Sequence, residues 1–153
     1  QMPARLMQHF HLDIVLLAGR YTLLDHSAFD RFLPMCEAKG TRIALGGPYN
    51  SGILAAQNLD GPVWFNYQQA APEWVDKAKA LKRVCDEHQV DMRAAALQFP
   101  LAHPAVASVI PGAASPAQVE QNIALVQTHI PAALWHALKA QALIPADAPV
   151  PIA

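Results

Sequence analysis

The sequence predicts an α/β protein with parallel strands, a portion of a barrel rather than a complete sheet. Short apolar runs alternate with segments of helical periodicity in the order α-β-α-β-α-α-β-α-α, and strands joined through helices form parallel sheets. The first and longest of these runs, Ile14 to Ala18, is apolar without alternation, as in a strand covered on both faces. Only three strand-like runs occur, too few to shield both faces of a parallel sheet, so the chain reads as a piece of a larger one. Its 153 residues match about one domain at the usual ~150 residues.

Each element has its own local grounds. Residues 1–12 read as the end of a helix already under way, with Leu6, Met7 and Phe10 on one face. The chain starts with Gln1 and carries no signal-peptide pattern, so it is expected to be a fragment or a processed product. Asp13 to Ala18 is the first strand. Ser27 is expected to cap a helix running to about Lys39, with Phe29, Phe32, Leu33 and Cys36 inward and Gly40 as its left-handed stop. Arg42 to Leu45 is the second strand, followed by a loop from Gly46 to Gly52; residues 53–71 show no firm regular structure. Pro72 starts a helix to about Gln89, and Asp91 caps another that ends before Pro104. Val106 to Ile110 is the third strand. Ser115-Pro116 opens a helix to about Gln127, and Pro131 opens the last, to about Leu143.

Composition excludes several classes. The chain is 53% hydrophobic and 15% charged, unlike a disordered segment. With a net charge of −1 and no basic stripe, no nucleic-acid or anionic-membrane partner is expected. Its longest apolar run falls well short of the ~20 residues that span a bilayer. Cys36 and Cys85 stand apart with no C-x-x-C, and read as buried thiols of a reducing, cytoplasmic compartment. His9 and His11 lack supporting ligands at metal spacing, so no metal site is expected; the other histidines are assigned no role. Trp74 and Trp135 read as core, whereas Trp64, Phe65 and Tyr67 either line a substrate mouth or seal the barrel.

Two loops carry the functional signal. From Val109 to Asn122, a strand ends in a small-residue loop and a helix starts with Ser115 as N-cap, Pro116 in first position and Gln118 as the return half of a capping box. Free N–H groups and the helix dipole at such a start favour an anion, a phosphate for example; an ordinary capped connection has the same signature. The Gly46–Gly52 loop holds three glycines that let backbone N–H groups face a ligand, or that simply make a flexible turn; no Gly-Lys-Ser/Thr follows, so it is not a P-loop. Phosphate sites of β/α barrels commonly lie in the loops after the last two strands. No catalytic nucleophile, acid or base emerges from spacing.

At these residues the chain resembles the C-terminal half of an aldo-keto reductase, an NAD(P)-dependent (β/α)8 TIM barrel. Gly47-Pro48-Tyr49-Asn50-Ser51-Gly52-Ile53-Leu54 resembles the family's Ser-Pro-Leu-x-x-Gly-Leu-Leu loop after strand seven, which holds the cofactor pyrophosphate. Val109-Ile110-Pro111-Gly112 through Gln121-Asn122 is similar to its eighth strand and adenosine loop. Arg20-Tyr21-Thr22-Leu23-Leu24 resembles its Glu-Tyr-Asn-Leu-Leu stretch after strand six. The wording of residues 16–24 and of the Gly-rich loop looks most like the subgroup of L-fucose or D-threo-aldose dehydrogenases and pyridoxal dehydrogenases.

The resemblance implies that residues 1–153 are strands six to eight of the barrel with their helices, and that the catalytic half is absent. It implies hydride transfer between a nicotinamide cofactor and a small aldose or aldehyde, and no turnover by this chain alone. It also implies a pyrophosphate loop of Gly47, Tyr49, Asn50 and Ser51, and an adenosine loop of Gly112, Ala113, Ser115, Gln118, Gln121 and Asn122. The family's catalytic Asp, Tyr, Lys and His come from its first four strands, so no catalytic residue is assigned. The Tyr that stacks on nicotinamide in many members corresponds to Gly46, leaving Tyr49 as a substitute. Asn122 matches the family's adenine-contacting Asn, and Gln121 replaces its usual Glu. The basic residues that often meet the 2′-phosphate of NADP correspond to Gly112 and Gln118, and Glu120 lies nearby, so NAD is favoured over NADP. The chain is expected to associate with the absent half or with itself; the alternative function is a non-catalytic half-barrel that self-associates.

Overall fold

The structure is a computed structural model that describes residues 2–151. Three strands form one parallel sheet: β1 (Ile14–Ala18), β2 (Arg42–Gly46) and β5 (Val106–Ile110), in the spatial order β1-β2-β5. Helix α2 (Phe32–Lys39) connects the first pair; α3 (Pro72–Glu87) and α4 (Met92–Leu101) connect the second. Helix α1 (Met2–Leu6) precedes the sheet, and α5 (Pro116–Gln127) and α6 (Ala132–Ala140) follow it. A small antiparallel hairpin, β3 (Trp64–Phe65) with β4 (Gln68–Gln69), lies between β2 and α3.

Strands that are neighbours in both sequence and space, joined by helices, give the singly wound order of a β/α barrel. The two sheet faces differ. Val15, Ile43, Leu45 and Val106 are buried towards the helices. The opposite face carries Ile14, Leu16 and Ile110, all more than half exposed. This open face is the one a barrel turns inward. The core lies between the sheet and α2, α3, α4 and α6, around Leu33, Leu81, Phe99, Leu134 and the fully enclosed Trp135.

Several element bounds differ from the sequence reading. The opening helix stops at Leu6; Met7 enters the core while Phe10 is exposed, so the supposed shared face does not form. Ser27 does not cap α2, which begins at Phe32 after an N-cap Arg31 with no side-chain hydrogen bond. Pro34 accounts for the late start: it cannot donate to the carbonyl four residues back, so the helix begins only two residues before it. The Ser27 amide instead donates to the Asp25 carboxylate (2.8 Å). Gly40 ends α2 in the left-handed conformation, φ 68°, as read. Helix α3 ends at Glu87 rather than Gln89, whose φ is +57°. Helix α6 is shorter than read, with Pro131 as its N-cap rather than its first residue. Residues 53–71 are not structureless: they hold the end of a 3-10 segment, Asn50–Ala55, and the hairpin.

Asp91 and Ser115 cap α4 and α5 as expected, accepting from the Arg93 and Gln118 amides. The return half of the capping box is displaced by one residue. The Gln118 carboxamide oxygen accepts from the Ala114 amide (2.7 Å), not from Ser115. His103, to which the sequence assigned no role, is buried, and its Nδ1 accepts from the Ala105 amide. Phe65 packs inward and stacks on Trp74, with ring centroids 4.2 Å apart, while Trp64 and Tyr67 remain exposed. Cys36 and Cys85 are free and buried, and burial pushes the Cys85 thiol up to about 12.

Candidate functional site

The register Ala18↔Gly46↔Ile110 ends all three parallel strands at one level, so the loops after them emerge side by side. Hydrogen bonds then tie the loops together. The Gly19 amide donates to the Gly46 carbonyl (2.9 Å), and the Asn50 Nδ2 donates to the Gly19 carbonyl (3.1 Å). A Cβ on Gly19 would lie 3.3 Å from that Nδ2, and its φ is +61°, so this crossing needs glycine. Thr22 donates its hydroxyl to the Asn50 Oδ1 (2.6 Å) and accepts from the Asp25 amide. Asn50, 4% exposed, is thus the buried clasp between the loops after β1 and β2.

The loop after β2 takes an unusual backbone path. Gly47, Asn50, Ser51 and Gly52 all have positive φ, at 63°, 47°, 59° and 97°. A concave turn of this kind can present backbone N–H groups to an anion; here the Gly47, Asn50 and Gly52 amides donate to backbone carbonyls, and the turn instead leaves the glycine positions open. Across from it stands the start of α5, whose first turn Ser115 completes. The Tyr49 hydroxyl spans the two sides and donates to the Asn122 Oδ1 (2.7 Å). Burial pushes this phenol up to about 12, Arg93 opposing the shift and Asp91 adding to it. It is therefore a neutral donor at ordinary pH. Its hydroxyl is committed to the α5 side, which gives no support to the nicotinamide-stacking role considered for it.

Between the two sides lies a cleft of about 440 Å3. Of the residues singled out in the sequence, Gly47, Tyr49, Asn50, Ser51, Gly112, Gln118, Gln121 and Asn122 line it. Ala113 does not: it borders a neighbouring apolar groove with Val109, Val119 and Ile123. Ser115 does not line it either, and acts through the helix start. Glu120 is also absent from the lining. Gly47, Gly52 and Gly112 have open space where a side chain would begin, leaving the backbone approachable.

Arg93 lines the cleft without having been singled out in the sequence, and Tyr67, read as either lining a mouth or sealing the barrel, lines it too. Arg93 starts α4, and a helix that leads back to the next parallel strand begins at the same end as the strand's preceding neighbour finishes. That topology was the available signal. Tyr67 occupies the hairpin tip, with φ +64° beside Asn66 at +50°, and its amide donates to the Ser51 Oγ (3.1 Å). Nothing in its local sequence marked that turn. Among the described lining residues, Arg93 is the only charged one, and no carboxylate faces the cleft. Arg93 is engaged by Asp91, with contacts of 2.6 and 3.1 Å. The described residues contain no group of three or more His, Cys, Asp or Glu placed to hold a metal ion.

A parallel β/α sheet segment with an anion-compatible cleft at the carboxyl ends of its strands has the architecture of part of a (β/α)8 barrel. A profile of the Aldo/keto reductase family matches residues 2–142, and the chain belongs to that family. It is 41% identical over 138 residues to pyridoxal 4-dehydrogenase of Microbacterium luteolum, a match covering 90% of this chain and 40% of that protein. It is 38% identical over 141 residues to D-threo-aldose 1-dehydrogenase of a Pseudomonas species, covering 92% and 43%. The chain thus spans about two-fifths of the length of these relatives, which belong to the subgroup its loops resemble. An aldo-keto reductase of Bacillus halodurans shares the fold, with TM-scores of 0.70 (holo) and 0.72 (apo) at 23% identity. The match covers 95% of this chain and 47% of the holo chain. The family is one of oxidoreductases that generally use NAD(P)H.

Proposed function

We propose that this chain supplies the cofactor pyrophosphate and adenosine loops of an NAD(P)-dependent oxidoreductase acting on a small aldose or aldehyde. Residues 1–153 would be the C-terminal half of the barrel, with the catalytic residues in a half not contained in this sequence. The observation that carries the reading is the cleft between the loops after β2 and β5, walled by open glycine positions and with no carboxylate among its described lining residues. A dinucleotide carries its negative charge on the pyrophosphate, which suits such a wall.

The roles divide along the cleft. Gly47 leaves open space for the pyrophosphate and Ser51 offers its hydroxyl, while Asn50 holds their loop in place. Gly112, Gln118, Gln121 and Asn122 face the adenosine end. Ala113 and Ser115 shape that end without lining it. Tyr49 pins Asn122. When bound, the nicotinamide cofactor supplies or accepts the hydride. This chain's residues bind and orient it, and none of them is assigned to proton transfer. The chain alone is accordingly expected to show no turnover, since losing a general acid and its positioning costs several orders of magnitude in rate.

NAD is the favoured cofactor. Residues 112–122 contain no Lys or Arg, and a 2′-phosphate needs a charge-assisted partner. A reducing, cytoplasmic setting is supported by the buried free thiols of Cys36 and Cys85. No helix among the described residues is long and apolar enough to cross a membrane. Titrating the chain with NAD and NADP tests the reading: NAD should bind at least as tightly. Gln118→Arg should shift the balance towards NADP by about 1–2 kcal/mol, the worth of one new charge-assisted contact. A tenfold native preference for NADP would contradict it.

A further inference from the structure

Arg93 sits on a ridge between two depressions. One is the cofactor cleft; the other is a neighbouring surface depression bordered by Leu54, Lys82, Asp86 and Asp91. Asp91 lines only the second. Its carboxylate holds the Arg93 guanidinium by three contacts, from Nε at 3.1 Å to each oxygen and from the terminal nitrogen at 2.6 Å. The one charged side chain among the described lining residues is therefore anchored, and electrically balanced, by a carboxylate on the outer side. Both side chains are only about a third exposed, at 35% for Arg93 and 37% for Asp91, so solvent screens the pair incompletely.

Other charges around the pair do not release it. Lys82, on α3, also faces Asp91 but is held by Asp86 at 2.9 Å. Burial alone would raise the Asp91 carboxyl, yet its bonds to Arg93, together with Arg93 and Lys82 charges, keep it below the usual range. Asp91 thus stays ionised beside Arg93, its carboxyl held below the usual range.

We propose that Asp91 is a specificity-determining residue of the cleft: by holding Arg93 to the outer wall and cancelling its charge, it favours a ligand with a free ribose hydroxyl over one bearing a ribose phosphate. The inference rests on the dinucleotide reading of the cleft. A free guanidinium is well suited to a phosphate, which it meets with a forked pair of charge-assisted hydrogen bonds. A guanidinium already forked onto a carboxylate must first give up that partner. Discrimination here is built as an occupied cation rather than as a missing one.

Asp91→Asn isolates the charge, because Asn is as good an N-cap as Asp and its side-chain oxygen can still accept from the Arg93 amide, now 2.8 Å from Asp91. The probes are ADP-ribose and 2′-phospho-ADP-ribose, titrated calorimetrically into the chain and into Asp91→Asn. Native chain should prefer ADP-ribose. The Asn variant should improve the relative affinity for 2′-phospho-ADP-ribose by about tenfold or more, the scale of a charge-assisted contact. Adding Arg93→Gln to Asp91→Asn should cancel that gain. If Asp91→Asn changes both affinities equally, or the gain survives Arg93→Gln, the inference fails while the dinucleotide reading stands. If ADP-ribose binds neither protein, the dinucleotide reading fails and takes the inference with it.

Discussion

Asn50 shows how one side chain can join two loops. Its buried carboxamide accepts from Thr22 and donates to Gly19, while its backbone holds a positive φ of 47°. Asn50→Ala leaves the Thr22 hydroxyl and the Gly19 carbonyl without their partner, and should cost about 1–3 kcal/mol in denaturant unfolding. A loss below a few tenths would mean that the clasp does not hold the loops. The sequence placed Asn50 in a ligand loop but not which way it points, since a hydrogen bond to a residue 28 positions away leaves no trace in spacing. His26 is a second residue without a sequence signal. Burial lowers it to about 4, helped by the Lys77 charge and opposed by the Leu23 carbonyl and Asp25. Because the folded value lies below the unfolded 6.5, its contribution to stability is complete above pH 6.5 and falls as the pH drops towards 4. The slope approaches about 1.4 kcal/mol per pH unit. Unfolding curves of native chain and His26→Gln between pH 7 and 4 should differ in slope by that group; parallel curves would exclude it.

At the scale of elements, local chemistry explains both successes and failures of the sequence reading. Caps are local, so Asp91 and Ser115 marked the starts of α4 and α5. Ser115→Ala should cost about 1 kcal/mol and speed amide exchange in the first turn of α5. Unchanged exchange there would show the cap to be idle. Ser27 looks like a helix cap in the sequence, but Pro34 confines α2 to Phe32–Lys39. The hairpin was missed because its strands are two residues long and its tip is Asn66-Tyr67 rather than the Asn-Gly that both positive φ values favour. Tyr67 is 95% exposed and gains nothing from burial, so Tyr67→Gly should stabilise the fold by up to about 1 kcal/mol. A destabilisation would show that the ring makes contacts beyond those of its backbone.

At the scale of the molecule, the barrel segment was legible because helix-linked apolar runs admit few arrangements. The meeting of Arg93 with the α5 loop was not, since it depends on strand register and helix direction together. In the described residues, β1 and β5 have free edges, and Ile14, Leu16 and Ile110 face solvent on the open side. Unpaired edges beside exposed apolar residues favour association. The chain should self-associate, or bind the complementary half of a related barrel, at micromolar concentration by light scattering. A stable monomer would argue that the open face is tolerated. The central claim, that the loops after β2 and β5 bind a dinucleotide, is tested most directly by following backbone amide resonances while ADP-ribose is added. The account predicts saturable shifts concentrated at Gly47, Ser51, Gly112, Gln118 and Asn122. Saturable shifts confined to the rest of the chain, or none at millimolar ligand, would contradict it.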